Sequence, residues 1–191
     1  MKKLLLACLL VGTSMAVKAQ TSFYTLIQGG ANLGFANEGY EGAFSGYTVH
    51  FIFGKNYNER AFLGLGLGNE RLKGTYKTND PHAANQDKYK YDQNLFPIFL
   101  DGRLPFGEFN ANSKIGLLAN VGYAAKLSAQ YDKGMMFKGG FFYLSENPGK
   151  TSWTVSASYG YQQLTKNDFM KDFMKDFQHQ HFNISVGLML K

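Results

Sequence analysis

The residues with the clearest potential for chemistry are four histidines and the polar groups near them. His179 and His181 are two apart, so in a β-strand they would share a face and could bind a metal ion. Two ligands without a nearby third make a weak site, so no metal site is predicted. His50 is expected to be a hydrogen-bonded core residue rather than a base.

A hydrolase would need a nucleophile, a base and an orienting group within hydrogen-bond reach. His181 and Ser185 have the same parity, but four strand residues separate their Cα atoms by about 13 Å. They cannot form a dyad directly, and the sequence contains no other convincing catalytic set. We therefore predict a protein without enzymatic activity and without a cofactor.

Asp101 and Arg103 lie on the same face of a predicted strand and are candidates for a polar network in an enclosed interior. Glu70 and Asn120 are further candidates for that network. Because burying unpaired charge is costly, we expect these groups to satisfy one another and to hold the interior closed. The alternative is that they form the gate of a conducting pore.

A four-residue repeat runs from Asp168 to Phe177. At helical spacing its apolar side chains form one stripe, with aspartates and lysines on the remaining surface. The stripe consists of Phe169, Met170, Phe173, Met174 and Phe177. We interpret it as a short amphipathic helix or turn in an outer loop that contacts lipid or a partner. The alternative is a short duplication with little function.

The elements that would position these residues are strands, recognised by bulky apolar residues at every second position. Seven segments show this alternation, and an eighth near Lys138 to Ser145 is less regular, so its facing stays open. Links near 35–42, 74–90, 128–137 and 165–180 are mostly long and polar, and they alternate with shorter ones near 55–60, 105–113 and 146–151. Such alternation is typical of barrels that cross an outer membrane.

The first residues indicate export. Lys2 and Lys3 precede an apolar run, Leu4 to Val11, and Val17-Lys18-Ala19 offers a small-residue cleavage site. We predict a signal peptide over residues 1–19 and one barrel domain over residues 20–191. A lipoprotein processing box at Cys8 is the alternative interpretation.

Charge and cysteine content exclude other classes of protein. Half of the formal charge of +6 comes from three lysines in the predicted signal peptide, which contains no acidic residue. No basic stripe with interleaved aromatic residues remains, so nucleic acid is not an expected partner. Because Cys8 is the only cysteine, the mature chain forms no disulfide and depends on packing and strand pairing.

These features together resemble the small OmpA/OmpX-type membrane barrels. They are similar in particular to the porin-like outer-membrane β-barrel domain of Bacteroidetes type, in which a strand like residues 95–103 recurs. The last strand, Phe182 to Leu190, alternates as in that family, although this chain ends in Lys191 rather than an aromatic residue. The resemblance implies an all-β fold, an eight-stranded antiparallel transmembrane β-barrel, with a narrow lumen filled by side chains.

The predicted function is that of a non-enzymatic protein of the outer membrane with a structural or surface-interaction role. Its expected partners are outer-membrane lipid or lipopolysaccharide, and a surface partner that binds the outward loops. Two alternatives stay open. One is a small-solute pore, and the other is a soluble lipocalin-like barrel, which would place apolar residues inside and polar residues outside.

Overall fold

The computed structural model describes residues 21–38, 40–78, 89–110, 112–147, 151–164 and 177–191. Within these ranges no helix is long and apolar enough to cross a membrane. The strands are β1 (Thr21–Glu38), β2 (Tyr40–Tyr57), β3 (Ala61–Thr78), β4 (Tyr89–Asn110), β5 (Ser113–Ala125), β6 (Tyr131–Asp132), β7 (Gly134–Glu146), β8 (Thr151–Leu164) and β9 (Phe177–Leu190). The predicted signal peptide lies outside the described residues.

Eight of these strands close into a ring in which each one pairs antiparallel with both neighbours. The ring order is β1, β2, β3, β4, β5, β7, β8, β9, and pairing between β1 and β9 closes it, from Thr25 with Leu190 to Glu38 with Gln178. The two-residue β6 lies outside the ring and pairs parallel with β4. The predicted eight-stranded antiparallel barrel is confirmed.

The outside of the barrel is apolar and the inside is partly polar. Leu65 and Leu100 are 55% and 53% exposed, whereas Asp101, the next residue of β4, is fully buried. A soluble lipocalin-like barrel would show the opposite arrangement, because its exterior contacts water. An exterior of this kind matches the lipid-facing surface of a transmembrane barrel.

Strand β7 is the segment whose facing the sequence left open. Lys138 and Leu144 face the lumen, whereas Phe137 and Phe141 face outward. The alternation is hard to recognise because apolar residues occupy both faces. The lumen side of β7 packs against other apolar side chains in its lower half, where Phe142 is buried.

The barrel has two distinct ends. At one end, called the turn end, short connections join β2 to β3, β4 to β5 and β7 to β8, and Lys191 is located there. In the first of these turns the Arg60 amide donates to the Tyr57 carbonyl over 3.0 Å, and Asn58 and Glu59 have positive φ angles of 53° and 58°. Two central residues with positive φ match the right-handed twist of a hairpin. The opposite end is called the loop end.

Several connections at the loop end are shorter than predicted. Strands β1 to β3 each have 18 residues and β4 has 22, whereas crossing the hydrocarbon layer takes about 9 to 11. Tyr40 pairs with Thr78 and Tyr76 with Tyr89, so much of the predicted links near 35–42 and 74–90 is strand. Those predictions were wrong because polar segments outside the lipid layer still pair through backbone hydrogen bonds, which hydrophobic alternation cannot reveal.

Two apolar clusters fill parts of the lumen. The cluster nearer the turn end contains Tyr24, Leu26, Ile52, Phe62, Phe99, Leu118, Met136, Phe142, Leu144 and Met189. The cluster nearer the loop end contains Phe44, Leu72, Tyr76, Tyr91, Leu95, Ala124 and Leu164. Along β2, β3 and β5, buried polar residues lie between members of the two clusters.

Candidate functional site

The buried polar residues between the two apolar clusters form what we call the polar layer. All eight strands of the ring contribute to it. Its members include Gln28, Asn32, Thr48, His50, Glu70, Asp101, Arg103, Asn120, Lys138, Thr154, Ser156, Asn183 and Ser185. All four lumen residues predicted from the sequence belong to this layer.

Asp101 is the centre of one half of the polar layer. Its carboxylate accepts a hydrogen bond from Arg103 Nε at 3.0 Å and one from Asn120 Nδ2 at 2.7 Å. The Tyr24 hydroxyl donates to the same carboxylate at 3.4 Å. The structure thus brings three of the predicted residues, Asp101, Arg103 and Asn120, into direct contact.

Glu70 is the centre of the other half. Its Oε1 accepts from Lys138 Nζ at 2.5 Å and from His50 Nε2 at 2.8 Å, and its Oε2 accepts from Asn32 Nδ2 at 3.1 Å. Lys138 was missed by the sequence reasoning because the facing of β7 could not be assigned. With Lys138 and Arg103 as counter-ions, each buried carboxylate has one buried cation.

Gln28 connects the two halves. Its Oε1 accepts from Arg103 Nη2 at 2.8 Å, and its Nε2 lies 3.2 Å from His50 Nδ1. A guanidinium only donates, so Arg103 fixes the orientation of the Gln28 amide. The amide nitrogen then donates to His50 Nδ1, which leaves the imidazole proton on Nε2, facing Glu70. A directional chain of hydrogen bonds therefore runs from Arg103 through Gln28 and His50 to Glu70.

Further side chains extend this chain toward β8 and β9. Asn183 Nδ2 donates to Asn32 Oδ1 at 2.7 Å. Ser185 is hydrogen-bonded to Ser156 at 2.7 Å between the hydroxyl oxygens. His181 and Ser185 therefore do not form a catalytic pair, and the polar layer joins strands on all sides of the ring. Such an arrangement can hold the barrel wall together and fill its lumen.

His179 and His181 both face the lumen, as their spacing predicted. Their rings are stacked, with centroids 5.2 Å apart and planes inclined by 18°. Nearly parallel rings direct their lone pairs side by side, so they do not converge on one ion. In the described part of the chain, no group of three or more His, Cys, Asp or Glu side chains could hold a metal ion.

A second ionic group, which we call the turn-end ion ring, was not foreseen from the sequence. It consists of Glu59, Lys114, Glu146 and Lys191. Lys191 Nζ lies 2.7 Å from carboxylate oxygens of both Glu59 and Glu146, and Lys114 Nζ lies 3.3 Å from Glu146. The two cations and two anions alternate, so Lys191 joins turns that are distant in the sequence.

Electrostatics in the turn-end ion ring favour the ionised carboxylate of Glu146. Partial burial would raise the pKa of this group, but its hydrogen bond to Lys191 and the charges of Lys191 and Lys114 act in the opposite direction. The net effect lowers the pKa of Glu146 from 4.5 to about 2.

The predicted outer-loop stripe cannot be placed. Phe169, Met170, Phe173 and Met174 lie outside the described residues, and Phe177 is described only as the first backbone position of β9. The stripe therefore stays a prediction.

No protein-family model matches the chain, and no curated protein is similar to it. Two solved structures are similar. Neisserial surface protein A (NspA) has a TM-score of 0.53 and 13% identity, with 90% of this chain and 98% of that one covered. The outer membrane protein OprG from Pseudomonas aeruginosa has a TM-score of 0.52 and 10% identity, with 88% and 94% covered. At these identities the likeness shows the fold, and this chain is an eight-stranded antiparallel β-barrel of the outer-membrane type.

Proposed function

We propose that this protein is an outer-membrane β-barrel with a structural or surface-interaction role and without enzymatic activity. The main support is the combination of an apolar exterior with a lumen that side chains fill. The polar layer pairs its buried charges and lies between two apolar clusters. A filled lumen of this kind suits a scaffold rather than a solute channel.

Cell fractionation combined with gel mobility tests this proposal. The mature protein should be recovered with outer membranes, and unheated samples should migrate differently from boiled ones, because a folded barrel resists detergent. Recovery in the soluble periplasmic fraction, with no heat-dependent shift, would contradict a membrane location.

We further propose that the outward loop around residues 168–177 contacts lipopolysaccharide or a surface partner. Three phenylalanines and two methionines in one loop would leave an apolar patch, which a surface in water avoids unless something covers it. Replacement of Phe169, Phe173 and Phe177 by Ser should weaken binding to cells or lipid while the heat-dependent gel shift is kept. If binding is unchanged and folding is lost, the segment belongs to the barrel core instead.

A further inference from the structure

The outer wall formed by β3, β4, β5 and β7 contains an apolar groove with a volume of about 370 Å³. Leu65 borders one side and Met135 the other, and Ile98, Val121 and Tyr123 line it between them. Ile98 pairs with Tyr123, and Tyr123 pairs with Met135, so these three side chains form one row across neighbouring strands. The groove therefore faces the lipid side of the barrel.

Toward the turn end, the groove is continued by a row of small residues. Gly102 pairs with Ala119, and Ala119 pairs with Gly139. A Cβ atom added to Gly139 would meet nothing within 4 Å, and one added to Gly102 would have its nearest neighbour, the Ala119 carbonyl oxygen, at 3.7 Å. The surface below the groove thus stays low across three strands, and a long thin apolar chain has room to lie along it.

Toward the loop end, the same wall carries exposed positive charge. Lys133 precedes Met135 by two residues, a step of about 7 Å along a strand, and Lys126 follows Tyr123 by three residues. On the β3 and β4 side, Arg71 and Lys73 share one carboxylate, that of Asp92, at 2.9 and 3.5 Å. Both borders of the groove's loop end therefore carry an excess of positive charge.

The opposite wall lacks this combination. Strands β8 and β9 contain no Asp, Glu, Lys or Arg residue. Their outward side chains near the loop end are neutral, such as Tyr159, whose hydroxyl donates to Gln180 at 2.8 Å. The cationic border is thus specific to the wall that has the groove.

We propose that this groove and its cations bind one acylated, phosphorylated lipid of the outer leaflet, of the lipid A class. An acyl chain lies in the groove over Gly102 and Ala119, and a phosphate lies near Lys126 and Lys133. Anionic headgroups are attracted to lysines at the membrane surface, and an apolar groove directly below accounts for the lipid tail. The inference rests on the proposed location in the outer membrane and adds a defined site on one wall.

The test is native mass spectrometry of the folded, full mature protein in detergent micelles, with diphosphorylated lipid A and phosphatidylethanolamine as probes. The wild-type barrel should retain one lipid A molecule under collision energies that remove phosphatidylethanolamine. Replacing Lys126 and Lys133 by Gln should weaken lipid A binding about five-fold for each lysine. The matched control is Lys55→Gln with Arg60→Gln, which removes the same charge from the turn end.

A second pair of variants tests the groove itself. Gly102→Phe should fill the depression and abolish retention of the lipid. Gly29→Phe is its matched control, because Gly29 also faces outward, on β1, and its added Cβ would have its nearest neighbour at 3.9 Å. Each variant is checked for the heat-dependent gel shift, so that loss of folding is recognised.

The outcomes separate the two proposals. A wild-type protein that shows no heat-dependent shift and partitions with soluble proteins contradicts both. A folded barrel that binds lipid A equally in wild type, the double lysine variant and Gly102→Phe contradicts the lipid site alone. Equal retention of phosphatidylethanolamine also contradicts it, as does a dimer of the chain that Gly102→Phe dissociates, since a second copy would then occupy the groove.

Discussion

At the scale of single residues, burial decides which ion pairs stabilise the barrel. The side chains of Lys138 and Glu70 are 3% and 1% exposed, whereas those of Lys73 and Asp92 are 55% and 48% exposed. Water screens the second pair, and exposed pairs contribute little. Removing one member of the first pair leaves a buried charge without its counter-ion, which is strongly unfavourable.

Lys138→Met should therefore lower the free energy of unfolding by about 3 to 5 kcal/mol. Adding Glu70→Gln should recover part of the loss, because the unpaired carboxylate is then removed. Urea unfolding in detergent micelles, followed by tryptophan fluorescence or circular dichroism, measures both effects. Lys73→Met is the matched control and should leave the midpoint unchanged; equal effects of Lys138→Met and Lys73→Met would contradict the role of burial.

Glu146 makes the stability of the turn end depend on pH. Its pKa is about 2 in the folded barrel and is expected to return to near the ordinary value of 4.5 on unfolding. The ionised carboxylate therefore stabilises the fold fully above pH 4.5, and this contribution is lost as the pH falls toward 2. The urea midpoints of wild type and Glu146→Gln should differ at pH 7 and converge near pH 2. Glu108→Gln, which changes an exposed carboxylate near the same end, should show no such convergence; a constant difference for Glu146→Gln would refute the linkage.

At the scale of the strands, glycines on the lumen face make room for aromatic rings. A Cβ atom added to Gly66 of β3 would lie too close to the ring of Phe99, whereas one added to Gly139 of β7 meets nothing. Gly66→Ala should therefore destabilise the barrel by about 1 to 3 kcal/mol, as overpacking in a filled interior does. Gly139→Ala should be close to neutral, and equal urea midpoints for the two variants would show that the lumen can adapt.

At the scale of the whole molecule, the lumen contents predict that the barrel does not conduct. The two apolar clusters and the polar layer occupy the interior of the ring, and the turn-end ion ring lies at one end. Purified protein in planar bilayers should show at most rare, small openings, under conditions in which a general porin gives large steps. Stable large conductance steps would overturn this expectation and would make Asp101 and Arg103 candidates for selectivity residues.

The sequence by itself determined the facing of most strands. Lipid outside and packed side chains inside act on each residue separately, with a period of two, so the pattern is local and readable. For this reason Asp101, Arg103, Glu70 and Asn120 could all be assigned to the lumen. On β7 the pattern failed, because Phe142 and Leu144 face the lumen while Phe141 and Tyr143 face outward, so both faces are apolar.

Only the tertiary structure decided which lumen residues meet. Lys138 and Glu70 are 68 residues apart, and Arg103 and Gln28 are 75 apart. Their contacts depend on the closure of the ring and on the register between strands, which no local pattern encodes. The same is true of Lys191, which reaches Glu59 across 132 residues because β1 pairs with β9 and brings the last strand beside the first turns.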